Sequence, residues 1–144
     1  MTFVLSDDRD RLDIARIHGW LASSYWSPGI ERERVERAIA GSHPIGAYRD
    51  GVQVGFARAI TDRATFAWIA DVFVDDSARG QGIGRAMAGW FVDHPDLTGL
   101  RRIGLVTADA HGVYAKLGFH PLLRPDRYME RLSAEATAML EARP

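Results

Sequence analysis

Apolar and polar positions along this chain divide it into short strands and amphipathic helices. Thr2–Leu5 reads as a first strand. From Asp10 to Ala22, Ile14, Ile17, His18 and Leu21 recur at helical spacing on one face, and Ser23–Gly29 interrupts the pattern. A second helix is expected over Ile30–Ala40, with Glu33 and Arg37 at i,i+4 and Gly41 as its stop, so that the charged run Arg32–Arg37 is a solvated face. Ile45–Tyr48 and Val52–Ile60 flank Asp50-Gly51, a dipeptide that accepts the positive φ of a tight hairpin turn, and should pair antiparallel.

Thr65–Val74 has one face of Phe66, Trp68, Ala70, Val72 and Val74 and another of Thr65, Ala67, Ile69, Asp71 and Phe73. Both are largely apolar, as in a strand covered on two sides, and Asp71 is the exception. A helix over Gly82–Asp93 gathers Ile83, Met87, Trp90 and Phe91 and stops before Pro95. Ile103–Thr107 predicts a short buried strand and Ala110–Leu117 a brief helix closed by Gly118. Phe119–Leu123 and Tyr128–Leu132 are expected to finish the sheet, and Ser133 to cap a last exposed helix.

Composition narrows the possibilities. A chain of 144 residues, 47% hydrophobic and 26% charged, suits one globular domain spanning 1–144. It contains no cysteine, which removes thiol nucleophiles, Cys-based zinc sites and a disulfide framework, and favours the cytoplasm. Eighteen Lys+Arg against 19 Asp+Glu leave a formal charge of -1, and no basic block is present to draw nucleic acid or an anionic membrane. No apolar run approaches the ~20 residues of a membrane span. Met1–Arg11 alternates acids and arginines and does not form a leader. No repeat or low-complexity tract divides the chain.

The chemistry concentrates in Val74-Asp75-Asp76-Ser77-Ala78-Arg79-Gly80-Gln81-Gly82-Ile83-Gly84-Arg85: a strand end, a polar turn, three alternating glycines and a helix start. Glycines let backbone approach a ligand closely, and the free N–H groups of a first helical turn attract negative charge. A P-loop would close on Gly-Lys-Ser/Thr, whereas Gly84 precedes Arg85-Ala86. The dinucleotide fingerprint would put its third glycine at Met87, although Asp109 does follow the next strand.

Arg79-Gly80-Gln81-Gly82-Ile83-Gly84 instead resembles the Arg/Gln-x-x-Gly-x-Gly/Ala loop of the GNAT superfamily of N-acetyltransferases. Ala110-His111-Gly112-Val113-Tyr114-Ala115-Lys116-Leu117-Gly118-Phe119 is similar to the family's Ala-x-x-x-Tyr-x-Lys-x-Gly-Phe segment, and Tyr128-Met129-Glu130-Arg131 to its closing strand. More narrowly, the chain resembles small bacterial stand-alone members whose acceptors are mostly unassigned. The resemblance implies a single α/β (α+β) domain: a mixed, mostly antiparallel twisted sheet with helices on both faces. Its two central strands, ending at Val74 and starting at Ile103, would splay.

By that resemblance the co-substrate is acetyl-CoA. Its pantetheine lies along Val72, Phe73 and Val74, and its pyrophosphate on Arg79, Gly80, Gln81, Gly82, Ile83, Gly84 and Arg85. A backbone N–H near Val72 or Phe73 polarises the thioester. Tyr114 matches the tyrosine that serves the coenzyme sulfur: a phenol with pKa about 10 can protonate a thiolate whose thiol has pKa about 8.5. The other reading of Tyr114 is a core residue. No covalent enzyme intermediate is required, in keeping with the absence of cysteine.

Asp71 is the candidate amine-facing carboxylate. It either binds the cation or takes its proton through water, or else it is satisfied locally at a splayed strand end. Relatives often carry Glu just before it, where this chain has Ala70, and Asn where it has Thr107. His111, three residues from Tyr114, is another acceptor contact. Tyr25 and Trp26 join the first two helices and would hold an amine by cation–π or stacking contacts, or pack the helices onto the sheet.

His18 reads as a core histidine, as do Trp20, Trp68 and Trp90 among the tryptophans. No His/Asp/Glu spacing resembles a metal site, and His43, His94 and His120 look unrelated, so no metal is expected. The acceptor is expected to be a primary amine of a small molecule or peptide, and a monomer and a homodimer stay open. The rival functions are a catalytically silent CoA-binding sensor or partner subunit, and a nucleotide-dependent oxidoreductase.

Overall fold

Aspartates start the first helical turns. In the computed structural model, which describes residues 2–142, the Asp13 carboxylate accepts the Arg16 N–H at 3.1 Å and opens α1, Ile14–Ala22. A 3-10 turn over Arg9–Arg11 replaces the helical start expected at Asp10. Met1, Arg143 and Pro144, the ends of the 1–144 domain expectation, lie outside the described residues. α2 covers Arg32–Ala40. The two helices bury Ile17, Leu21, Val35 and Ile39 around Phe56, which forms the core on one face of the sheet.

The sheet has five strands in sequence order: β1 Val4–Ser6, β2 His43–Arg49, β3 Val52–Thr61, β4 Phe66–Val74 and β5 Arg102–Gly104. β1 to β4 pair antiparallel, and β5 runs parallel to β4. The Asp50-Gly51 turn behaves as expected: Arg49 pairs with Val52, and both turn residues take positive φ, 51° and 78°, as a two-residue hairpin loop requires. At the next hairpin Asp62 Oδ1 gathers the N–H groups of Ala64 and Thr65 at 2.9 and 2.8 Å.

α3, Ile83–Asp93, covers the other face and buries Ile83, Met87, Ala88 and Phe91 against Ile45, Ala47, Val54 and Ala59. Gly55 permits this approach: a Cβ there would meet Ile83 Cγ2 at 3.1 Å and Met87 Cε at 3.2 Å. α4, His111–Ala115, adds Tyr114 to the same core. α5, Ala134–Glu141, is capped by Ser133 as expected and buries no residue. Trp20, Trp68 and Trp90 are half-buried, at the rim of the core and not inside it.

Two expectations fail. Phe119–Leu123 and Tyr128–Leu132 form no strand, so among the described residues the sheet ends at β5. Pro121 and Pro125 remove ladder donors and fix φ, and a turn at Pro125–Arg127 is clamped by Arg124 on Asp126 at 2.7 and 3.0 Å. β5 is also shorter than the predicted Ile103–Thr107; it leaves the ladder after Gly104, and Val106 is 81% exposed.

The second failure lies within β4. Arg58 pairs with Ala70 and Phe56 with Phe73, so Asp71 and Val72 both stand opposite Ala57. This is a β-bulge, and Asp71 sits in it at φ 56°. An extra residue in one strand reverses which side later residues face. Ala67 and Ile69 belong to the α3 core, but beyond the bulge it is Val72 and Val74 that pack there. Phe73 instead stacks on Trp20 of α1 at 5.4 Å. The simple alternation that put Ala67, Ile69, Asp71 and Phe73 on one face therefore stops at Ile69.

Candidate functional site

β4 and β5 share only three residue pairs, Phe66 with Arg102, Ala67 with Ile103 and Trp68 with Gly104. Beyond Trp68, β4 runs on to Val74 with no strand paired on its β5 side among the described residues. The expected splay is present.

The glycine loop continues directly from that edge. Asp75 fixes the junction. Its N–H donates to Val54 O at 2.8 Å, and its carboxylate accepts from Ser77 N and from Trp20 Nε1, with Arg16 at 3.5 Å. These contacts, led by the Ser77 hydroxyl, hold the Asp75 carboxyl below the usual carboxylate range.

Gly80 and Gly82 both take left-handed φ, 79° and 78°, and Gly82 is the N-cap of α3 without a side-chain cap bond. Among the described residues the N–H groups from Gly80 to Arg85 have no acceptor. Alternating left-handed residues leading into a helix turn successive N–H groups inward, which suits an anion. The Gln81 Oε1 atom is buried without a partner. Arg79 donates from Nε to Val74 O at 3.2 Å and pairs with Asp76 at 3.0 Å, while Arg85 is exposed on the first turn of α3.

Tyr114 is 9% exposed, edge-on to Phe119 at 6.0 Å. Burial, followed by the nearby Tyr25 and Asp109, raises its phenol pKa above the ordinary value. It therefore keeps its proton across the neutral range and is available as a donor. Thr107 Oγ1 accepts the Ala110 N–H at 3.1 Å and sets the entry to α4.

On the α1 side, each carboxylate oxygen of Asp71 accepts a hydrogen bond. Oδ1 accepts Trp26 Nε1 at 2.9 Å and Oδ2 accepts Arg58 Nε at 2.7 Å, with the Arg58 and Asp71 side chains only 16% and 13% exposed. Arg58 also donates to Ser42 Oγ at 2.9 Å. Trp26 lies edge-on to Tyr25 at 5.0 Å and leans on Phe73 at 6.3 Å. The Tyr25 hydroxyl accepts the Ala108 N–H at 3.3 Å, tying the α1–α2 connection across the gap to the segment after β5. A cavity of about 200 Å³ opens beneath, lined by Leu21, Trp26, Ile30, Val35, Ile39, Arg58 and Asp71 among others.

Tyr25, Trp26, Asp71 and Phe73 thus converge, with Tyr114 near Tyr25. His111 does not join them: it is exposed at the start of α4 and makes no hydrogen bond or ring contact among the described residues. His18 is satisfied by Ile30 O at 2.9 Å.

Arg58 escaped the sequence reading. Its signal was a lone cation inside the apolar run Val54–Ile60, which mirrors Asp71 in the neighbouring strand. His43 and His94, far apart in sequence, also meet. Their rings stand edge-on at 4.9 Å, with Asp7 at 3.5 Å from His43 Nε2. His94 Nδ1 accepts the Asp96 N–H at 3.0 Å, and Asp7, His43 and His94 bring one possible ligand atom each within 4.8 Å of one another.

The fold is thus an α/β protein with a mixed sheet in which β5 pairs with only the start of β4 and β4 leads into a loop whose N–H groups have no acceptor among the described residues. The model of the acetyltransferase (GNAT) family matches residues 11–119, and the chain belongs to that family, whose members use acetyl-CoA. A Xanthomonas campestris pv. campestris chain described as belonging to the GNAT family is 46% identical, over 92% of this chain and 94% of its own, with a TM-score of 0.89. A Gibberella zeae protein with an acetyltransferase name is 26% identical, covering 96% of this chain and 89% of its own. The fold is shared with a Clostridium acetobutylicum chain solved with acetyl-CoA, at 18% identity over 91% of this chain and 95% of that one, with a TM-score of 0.65.

Proposed function

We propose that this chain is an N-acetyltransferase that carries acetyl from acetyl-CoA to a primary amine of a small molecule or peptide by direct attack, in one domain spanning the chain. The observation that carries the reading is the row of N–H groups from Gly80 to Arg85 without acceptors, placed where β4 has parted from β5. A side chain other than hydrogen would be strained at Gly80 and Gly82, so the loop is shaped for backbone and not side-chain recognition.

In this reading the unpaired edge of Val72–Val74 holds the pantetheine arm, and the loop with Arg79 and Arg85 holds the pyrophosphate. An N–H at Val72 or Phe73, presented by the bulge, donates to the thioester oxygen as negative charge develops on it. The amine nitrogen forms a bond to the acetyl carbon and the C–S bond breaks. Tyr114 gives its proton to the departing thiolate, and the amine proton leaves to water. With both oxygens already accepting hydrogen bonds, Asp71 orients the amine through its remaining lone pairs.

The acceptor enters beside Trp26, and the aliphatic walls of the cavity favour an amine attached to an apolar body of modest size. The absence of cysteine supports a cytoplasmic setting, and among the described residues no helix is long and apolar enough to cross a membrane.

Thermal unfolding with acetyl-CoA, CoA, NADH and ATP in parallel tests the site, since a ligand bound only by the folded state raises Tm. Acetyl-CoA and CoA alone should shift it, and amines screened by thiol release should then turn over. A shift with NADH or ATP instead would overturn the assignment, and coenzyme binding without turnover of any amine would favour a CoA-dependent sensor.

A further inference from the structure

Arg58 uses few of its donors. A guanidinium carries five N–H groups; among the described residues Nε donates to Asp71 Oδ2 at 2.7 Å and Nη1 to Ser42 Oγ at 2.9 Å, and Nη2 has no acceptor. An arginine–carboxylate pair frequently takes a bidentate fork, with both oxygens on one edge of the guanidinium. Here the fork is broken. Asp71 Oδ1 is turned to Trp26 Nε1 at 2.9 Å, so Asp71 meets Arg58 through a single oxygen. Both side chains line the cavity of about 200 Å³ beside Trp26, at only 16% and 13% exposure. Donors left idle in so buried a place are costly unless a ligand or water takes them up.

The pair also selects by charge. Arg58 and Asp71 cancel, and the other residues lining the cavity, Leu21, Ile30, Val35 and Ile39 among them, are uncharged. A bare ammonium is drawn to Asp71 and repelled by Arg58 at a similar distance, and a bare carboxylate meets the reverse, so neither gains much. A molecule carrying both charges gains from both when it lies antiparallel to the pair. The spacing fits: Arg58 Nε and Asp71 Oδ2 are 2.7 Å apart, and two standard bonds put the nitrogen of an α-amino acid about 2.5 Å from its carboxylate carbon. The cavity is smaller than the ~300 Å³ at which pockets for drug-sized ligands begin, which suits one apolar side chain and not a larger body. Asp71 directly precedes Val72 and Phe73, so an ammonium held there stands next to the strand assigned to the thioester.

Resting on the acetyl-transfer reading above, we propose that the acceptor is a zwitterionic α-amino acid with an apolar side chain, its carboxylate held by the free end of Arg58 and its ammonium by Asp71. The N–C bond forms at the acetyl carbon and the C–S bond breaks. The ammonium sheds one proton to water before attack and a second as the amide forms, Tyr114 protonates the thiolate, and the carboxylate stays on Arg58 throughout. The N-acetyl product has lost its positive charge, and with it the attraction of Asp71, which favours release.

Calorimetry in the presence of CoA compares L-valine, L-leucine and L-phenylalanine with the amines that lack only the carboxylate: isobutylamine, isoamylamine and phenethylamine. At least one acid should bind about 10-fold or more tightly than its amine, the worth of a charge-assisted hydrogen bond. Amines that bind as tightly as their acids, or acids that do not bind at all, would overturn the amino-acid assignment, and thiol release with those amines would leave the acetyl-transfer reading standing. Acids that bind with the expected preference but release no thiol from acetyl-CoA would keep the amino-acid site and remove the transferase reading. Arg58→Lys retains a cation for Asp71 but has no second arm, so the preference for acid over amine should vanish. A folded Arg58→Lys protein with that preference intact would place the carboxylate elsewhere and refute the role of Arg58.

Discussion

Removing the cation from the Arg58–Asp71 pair is the most demanding test of the candidate site. Arg58→Met keeps the length and packing of the stem but leaves Asp71, 13% exposed, with Trp26 Nε1 as its one remaining donor. Losing one partner of a buried pair costs about 3–5 kcal/mol, and the surviving Trp26 bond puts this case near the lower end. Unfolding entropy of ~2.1 cal/mol/K per residue amounts to about 0.3 kcal/mol/K for 144 residues, so a loss of ~3 kcal/mol should lower Tm by about 10 °C.

Asp71→Asn is the matched partner, because asparagine also tolerates the left-handed backbone at this position and adds no steric cost. Urea titrations of both single variants and the double variant should give a coupling energy above about 1.5 kcal/mol. The functional counterpart is that Asp71→Asn raises KM for the amine more than KM for acetyl-CoA. Coupling below about 0.5 kcal/mol, together with a Tm change of only 1–2 °C, would mean that the pair is solvated like a surface salt bridge, and the argument for a desolvated amine site would fail.

Three further outcomes follow from the site. Tyr114→Phe should lower kcat about 10–100-fold with little change in acetyl-CoA affinity, since a general acid contributes to the transition state alone; unchanged turnover would make the tyrosine a packing residue. Gly82→Val places a β-branched side chain at φ 78°. Because its Cβ would meet nothing within 4 Å, the damage is backbone strain of about 1–2 kcal/mol and a lost donor geometry; calorimetry showing unaltered CoA binding would remove the loop from the site.

Asp75→Asn tests the loop's anchor by pH. A carboxyl whose folded pKa lies below its unfolded value adds stability that is complete above about pH 4 and is lost as pH falls through the folded value. The Tm difference between wild type and variant should therefore be full at neutral pH and shrink in acid; a difference constant down to pH 2 would contradict the hydrogen bonds assigned to Asp75.

What could be read from the sequence was local. Asp50-Gly51 dictates its own turn, Gly80 and Gly82 their own left-handed backbone, and Ser133 its own cap, because each depends on φ or on a hydrogen bond a few residues away. The splay could be anticipated only through family resemblance, since nothing within β4 alone says where β5 departs. Asp71 stood out as a charge in an apolar strand while Arg58 was passed over, and their pairing depends on the β3–β4 register, which the bulge shifts. The strands expected over Phe119–Leu132 show the reverse case. They were expected from element order and family resemblance, yet a strand exists only where another edge accepts it, and no edge of the same chain does so among the described residues.

The bulge at Asp71 joins fold to chemistry. Without it, alternation would send Asp71 toward the α3 core that receives Ala67 and Ile69, where a carboxylate would have no cation and a large desolvation cost. The extra residue turns Asp71 toward Arg58 and Trp26 and returns Val72 and Val74 to α3. It also carries Phe73 across to Trp20, at the place where the β5 edge has become free. A left-handed aspartate costs of order 1–2 kcal/mol, and the two charge-assisted hydrogen bonds on its carboxylate, at 2.7 and 2.9 Å, are of the size to offset that. Strain, ion pair and exposed backbone are therefore one device. Replacing Asp71 with alanine should relax the bulge as well as remove a charge, whereas asparagine should remove only the charge.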